Sequence, residues 1–175
     1  MRVRLEFPTH QRQNEFLALV RRSRALHSPW VSPPATPEKY QQYLEQCATP
    51  NFRGFLIVQC QHDTSAGVAN VSSITGGNLQ SAYLGFYSFA SSARQGLMRE
   101  GLSLVLNEAF TTLRLHRIEA NIQPGNTASL QLVQRLGFRR EGFSPRYLKV
   151  RGRWRDHERW ALLAEEWREN RRRSR

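Results

Sequence analysis

The stretch from Pro124 to Gly142, P-G-N-T-A-S-L-Q-L-V-Q-R-L-G-F-R-R-E-G, constrains the fold more than any other part of the chain. Asn126 suits a helix N-cap, because its side-chain oxygen can take one of the N–H groups that a helix start leaves unpaired. Leu132, Val133 and Leu136 then fall at helical spacing, Gly137 stops the helix, and Phe138 begins a strand-like run. The residues just before, 116–123, also read as a strand. The segment is therefore a strand–helix–strand corner.

The rest of the chain fits around that corner. Gly96 to Leu113 is the clearest helix, with Leu102, Val105, Leu106, Ala109, Phe110 and Leu113 forming one apolar stripe. Three strand-like runs precede it, 53–60, 66–74 and 80–89, split by H-D-T-S and by T-G-G-N. The second gap is a strong turn signal, and the three runs predict an antiparallel meander. Residues 2–7 alternate like an edge strand, and 10–25 read as a helix with Phe16, Leu19 and Val20 on one face. The prolines of H-S-P-W-V-S-P-P forbid regular structure after it. Thr36-Pro37-Glu38 starts a second helix, ending near Cys47: a cap, a proline at the first helical position and an acid in the first turn. Beyond the corner come strands at 138–150 and 153–163, joined by a turn at Arg151-Gly152.

The order β-α-α-β-β-β-α-β-α-β-β contains no linker. It predicts one α/β (α+β) domain over residues 1–163, with a mixed, mainly antiparallel sheet of six to seven strands flanked by about four helices. Residues 164–175 are left as a basic C-terminal tail.

A chain of 175 residues is long enough for one core. Cys47 and Cys60 have no metal-ligand spacing, so no metal is expected and a reduced, cytoplasmic protein is the simplest reading. No apolar run approaches the ~18 residues that span a bilayer, and M-R-V-R-L-E-F-P lacks the apolar core of a signal peptide. The formal net charge of +12, with a terminus ending R-E-N-R-R-R-S-R, favours anionic partners: RNA, a ribonucleoprotein or a phosphorylated cofactor. A solvated tail accounts for those terminal arginines equally well.

The corner at 124–142 resembles the C-terminal half of a GCN5-related N-acetyltransferase, whose cofactor, acetyl-CoA, lies against the matching helix. A second point of resemblance is S-A-R-Q-G-L-M-R-E-G-L at the start of the long helix. A helix start suits a pyrophosphate, Gly96 lets the backbone approach closely, and Arg94 and Arg99 add charge. The family carries Q/R-x-x-G-x-G/A here, whereas this chain has Ala93 first, Arg94 where Gly is usual and Met98 last. Gly96-Leu97-Met98-x-Glu100 nevertheless is similar to the G-L-M-x-E-A of the branch that acetylates ribosomal-protein N-termini. The resemblance implies cofactor contacts from Arg94, Gln95, Gly96, Leu97, Met98 and Arg99. It also implies a backbone N–H near Ser88-Phe89 that polarises the acetyl carbonyl.

The resemblance gives Asn126 and Ser129 a second role besides capping. The matching Asn binds the pantetheine arm, and in the RimL-like branch the matching Ser lies near the sulfur and protonates the leaving thiolate. Many relatives use a Tyr seven residues after the Asn. Here that position is Val133, so the acid role falls to Ser129. A third segment, Y-L-K-V-R-G-R-W-R-D-H at 147–157, resembles the Y-L-x-x-x-G-x-W-R-D-H of RimJ-type alanine acetyltransferases, which modify a small-subunit ribosomal protein. A packed Trp154 and an Asp156 paired with an arginine would explain the same residues structurally. With Y-L-G-F-Y at 83–87 and H-R-I-E-A-N at 116–121, the resemblance covers about residues 66–163. The first 60 residues match loosely, as F-L-A-L and P-W.

Acetyl transfer needs a neutral amine. An α-amine has pKa ≈ 7.7–8.0 and a lysine ≈ 10.4, so deprotonating the lysine costs roughly 3.5 kcal/mol more. The positions where relatives carry a base hold Tyr83 and Asn121, which leaves Glu119 and Asp156 as candidates. Glu100, in a first helical turn, has a dipole role as its simplest explanation. The lack of an obvious strong base favours an α-amine acceptor on a protein, with a ribosomal protein as the acceptor that the resemblance implies. Two other readings stay open. One is an acetyltransferase of a polyamine or aminoglycoside, disfavoured by the chain's positive charge. The other is an inactive CoA-binding domain that binds RNA or ribosomes.

Overall fold

A computed structural model describes residues 1–173. Seven strands form one sheet: β1 Val3–Glu6, β2 Phe52–Gln59, β3 Ser65–Thr75, β4 Ser81–Ser88, β5 Arg117–Ile122, β6 Arg139–Val150 and β7 Arg153–Leu163. Their spatial order is β1-β2-β3-β4-β5-β7-β6. Every neighbouring pair is antiparallel except β4 and β5, which run parallel. The helices are α1 Gln13–Arg22, α2 Arg24–His27, α3 Pro37–Cys47, α4 Leu97–Thr111, α5 Thr127–Arg135 and α6 Ala164–Arg173.

Alternation along the strands builds a core on each face. Phe55 and Ile57 of β2 join the core under α4, while Phe52, Leu56 and Val58 join one made with α1 and α3. The second core is aromatic: Phe16 lies 4.7 Å from Tyr40 and 5.8 Å, edge-on, from Phe89 between ring centres. The apolar stripe of α4 is buried as its spacing predicts, from Leu97 to Phe110. Gly101 is required where the helix crosses β2, since a Cβ there would sit 2.4 Å from Ile57 Cγ2.

Two segments differ from expectation. The helix foreseen over 10–25 is a 3-10 turn at His10–Arg12, then α1, then a bend at Ser23 before α2. Buried Ser23 explains the bend: its hydroxyl donates to Leu19 O (2.7 Å) and accepts the Ala90 N–H (2.9 Å), tying the chain to the end of β4. The segment after residue 163 is a helix through Arg173 and not merely a solvated extension. Trp167 packs into the main core, and Glu166 caps the helix by accepting the Leu163 N–H at 2.8 Å. Ser174 and Arg175, the end of the expected tail, lie outside the described residues. No described helix is long and apolar enough to cross a membrane.

Candidate active site

The site begins where the parallel pair comes apart. β4 and β5 pair only at Ser81↔Arg117, Ala82↔Ile118 and Tyr83↔Glu119. β4 continues to Ser88 still bonded to β3, so its other edge is open from Leu84 onward. The pleat determines which peptide groups face the gap. The Phe89 N–H donates to Ala66 O on β3 (2.9 Å), and one residue back Ser88 turns away, its carbonyl accepting from His27 Nε2 (2.9 Å). The same alternation points the backbone of Leu84 and Phe86 into the gap. The Phe89 N–H, expected near the acetyl carbonyl, is therefore committed to the sheet. The N–H groups left on the open edge are those of Phe86 and, by the same parity, Ser88, so the Ser88 half of the expected position stays available. The Leu84 N–H closes the last rung with β5, and only its carbonyl is open.

A cleft of about 670 Å³ occupies this gap. Leu84 to Tyr87 form one wall and Asn121 to Gln123, Asn126 and Ser129 the other. The strap Trp30–Pro34 and the residues Lys39, Tyr43 and Asn70 enclose it on one side, and Leu148, Val150 and His157 on another. Two buried polar atoms of this lining have no partner among the described residues, Tyr87 Oη and Asn121 Oδ1. An amide-bearing ligand fits such a gap, since unpaired strand edges and orphaned polar groups are costly when dry. The lining contains no aspartate or glutamate.

At the other end of the gap, the chain passes Ala90–Ser92 as a 3-10 turn and enters α4. Arg94 (φ +62°) and Gly96 (φ +78°) both adopt left-handed backbone, which curls the loop over the helix start. Gln95 Nε2 bonds Ser91 O at 3.0 Å and tightens the curl. Leu97 and Met98 turn their side chains into the core, so they can offer a ligand only their backbone N–H groups, while Arg94 and Arg99 are exposed at the mouth. A Cβ on Gly67 would sit 2.3 Å from Met98 Sδ, a close fit that sets the helix on the sheet. Glu100 is held by Arg2, whose Nε lies 2.7 Å from Oε1 and whose backbone N–H reaches Oε2 at 3.2 Å. These bonds lower its pKa and occupy its carboxylate. A cationic mouth over a helix N-terminus fits a diphosphate.

On α5, Asn126 Oδ1 accepts the Ser129 N–H at 3.3 Å, so Asn126 is the cap that the sequence predicts. Both residues also line the cleft, and Ser129 Oγ makes no hydrogen bond among the described residues. Val133, where relatives place a tyrosine, is fully buried in the core.

The two carboxylates named as bases do not reach the cleft lining. Glu119 accepts from Arg117 Nε at 2.9 Å, inside an ion network with Glu141, Arg139 and Glu166. Asp156 is exposed and accepts the Arg146 N–H at 2.7 Å, closing the irregular turn where the β6–β7 register shifts between Ser144 and Leu148. The next residue, His157, lines the cleft instead, 3% exposed. Its Nδ1 faces Arg155 O at 2.9 Å. A carbonyl only accepts, so Nδ1 carries the proton and Nε2 keeps its lone pair. Burial lowers the His157 pKa below its usual 6.5, so the ring is neutral at pH 7. Asn121 pairs with Arg159, and two residues along β7 His157 shares that face. Strand parity in W-R-D-H, counted from that pairing, is the signal that separates His157 from Asp156.

Residues 2–139 match the family model for the acetyltransferase (GNAT) domain. The chain belongs to the GNAT acetyltransferase family. This acetyltransferase is 40% identical over 101 residues to the [ribosomal protein uS5]-alanine N-acetyltransferase of Escherichia coli, covering 58% of this chain and 52% of that protein. It thus spans about half the length of that relative. Among solved structures, Mycobacterium smegmatis RimJ in complex with CoA-disulfide superposes with a TM-score of 0.85 at 28% identity, over 94% of this chain and 83% of that one. The spermidine N-acetyltransferase of Vibrio cholerae, in complex with CoA and spermine, shares the fold: TM-score 0.81, 20% identity, 95% and 98% covered. The GNAT enzyme described here uses acetyl-CoA.

Proposed function

We propose that this enzyme acetylates the N-terminal α-amine of a protein, with a ribosomal protein as the acceptor class. The observation that carries the reading is the cleft's charge: it is lined by Lys39 and His157 but by no carboxylate. A polyamine carries several ammonium groups at pH 7 and binds where carboxylates neutralise them. A peptide N-terminus brings one, and loses it near pH 8. The polyamine enzyme that shares the fold is 20% identical, a likeness of architecture alone.

In this reading the chain's residues divide the work. The start of α4, with Arg94 and Arg99, holds the diphosphate, Gln95 tightening the loop behind it. The open backbone of Leu84 and Phe86, together with Asn126, orients the amide arm. Acetyl-CoA supplies a thioester carbonyl open to direct attack by an amine. His157 Nε2 takes one proton from the incoming ammonium. As the C–N bond forms and the C–S bond breaks, Ser129 Oγ donates a proton to the departing sulfur and regains one from the amine nitrogen, which sheds its second proton as the amide forms. From the unperturbed histidine value of 6.5, the transfer to His157 is uphill by at least ~1.6 kcal/mol for an α-amine and ~5.3 kcal/mol for lysine. A weak base therefore favours the α-amine.

The test follows free-thiol release with acetyl-CoA and either short N-terminal peptides or spermidine. The reading expects kcat/KM for at least one peptide to exceed that for spermidine a hundredfold. Saturable turnover of spermidine with no peptide turnover would refute it.

A further inference from the structure

A second pocket, of about 790 Å³, lies on the far side of the strap from the cleft. The two share Val31, Ser32, Pro33 and Lys39, so a chain leaving one can enter the other. Its floor is apolar, from Leu17 and Val20 of α1 and the strap itself. Its rim is cationic: Arg21, Arg24, Lys39 and Arg151, all exposed. None of these four is in an ion pair among the described residues, although every glutamate of β1, α1 and β5 has an arginine partner. No aspartate or glutamate lines the pocket.

The pocket also contains an orphan. His27 is 5% exposed, and its Nε2 faces the Ser88 carbonyl at 2.9 Å, so Nε2 carries the proton. Nδ1 is then a buried acceptor with no partner among the described residues. Burial lowers the His27 pKa, so that lone pair stays available at pH 7. A donor brought by a ligand would satisfy it, and a peptide N–H is such a donor.

We propose that this pocket binds an acidic segment of the acceptor protein, just downstream of the α-amine that enters the cleft. The proposal rests on the α-amine reading above. An apolar floor, a buried acceptor and a rim of four cations match a short peptide with an apolar side chain, a backbone N–H and carboxylates. The concave shape and the walls shared with the cleft favour a peptide over the flat phosphate track of a nucleic acid.

The test compares two heptapeptides that differ only by Glu→Gln changes after the third residue, assayed by thiol release on the full-length enzyme. At low salt the acidic peptide should have a kcat/KM roughly tenfold higher, the scale of two or three surface charge pairs. In the Arg21→Glu/Arg24→Glu variant that ratio should fall to about one or invert. Arg168→Glu/Arg172→Glu, an equal charge change on α6, should keep it, which separates the pocket from general charge. An unchanged acetyl-CoA-induced rise in melting temperature verifies that each variant folds. Equal kcat/KM for the two peptides in the wild type overturns the proposal and leaves the α-amine reading intact. So does a ratio that survives Arg21→Glu/Arg24→Glu while binding of a labelled single-stranded RNA is lost, since the pocket would then be an RNA face. No turnover of either peptide refutes the α-amine reading itself.

Discussion

Two walls of the cleft use a polar residue beside a turn, and they use it differently. On α5, Asn126 caps the helix with Oδ1 and still lines the cleft, while the residue it caps, Ser129, keeps a hydroxyl there that has no partner among the described residues. On the β6–β7 hairpin, Asp156 gives its carboxylate to the Arg146 N–H and stays outside, and its neighbour His157 takes the inward position. A helix start holds its capping residue and its first turn on the same side. A strand sends successive residues to opposite faces. In the proposed mechanism, chemistry sits beside the structural clamp on the helix, and one residue away from it on the strand.

The largest expected effect breaks the hairpin side of this comparison. His157→Gln should lower kcat/KM for N-terminal peptides by about a hundredfold or more, the usual contribution of a positioned base, and remove the acid limb of the pH–rate profile below pH 6.5. Asp156→Asn should leave kcat within about twofold and cost about 1 kcal/mol of stability through the weakened bond to Arg146, read as a lower midpoint in urea. The reverse pattern would reinstate Asp156 as the base.

On the helix side, Ser129→Ala should lower kcat by about tenfold to a hundredfold with KM for acetyl-CoA nearly unchanged. Asn126→Ala should raise that KM and also cost about 1 kcal/mol as a lost cap. Steady-state kinetics beside a denaturant titration separates the two. Gly101→Ala tests the packing that positions α4. Its methyl would meet Ile57 and should cost about 1–3 kcal/mol.

The smallest effects come from ionisation. His27 and His157 both have folded pKa values lowered by burial. The unfolded chain therefore binds their protons first, so their contribution is complete above pH 6.5 and is lost as pH falls through the folded values. The melting temperature should decline below pH 6.5, and less steeply in His157→Gln. Glu119→Gln breaks an ion pair outside the cleft and should change stability by less than about 1 kcal/mol and kcat not at all.

Much of the fold is legible in local pattern: the stripe of α4, the cap and stop of α5, and Thr36, whose hydroxyl caps α3 by accepting the Lys39 N–H at 3.3 Å. What local pattern hides depends on pairing between distant strands. Glu119 and Asn121 share a face by parity, yet Arg117, which also pairs with Glu141, claims the first, and the second is left with its Oδ1 orphaned among the described residues beside the cleft. The bend at Ser23 depends on Ala90, 67 residues away. Trp167 reads as part of a charged end until it meets the core. The choice of His157 over Asp156 needs the β5–β7 register, which no stretch of sequence displays by itself.

The central claim is that this cleft, lined by a neutral histidine and no carboxylate, acetylates α-amines. The direct measurement incubates the enzyme and acetyl-CoA with one peptide carrying a free N-terminus and an internal lysine, in equal competition with spermidine, and locates the acetyl group by mass spectrometry. The account predicts acetylation at the peptide N-terminus. Acetyl on the lysine or on spermidine, with the N-terminus free, would contradict it.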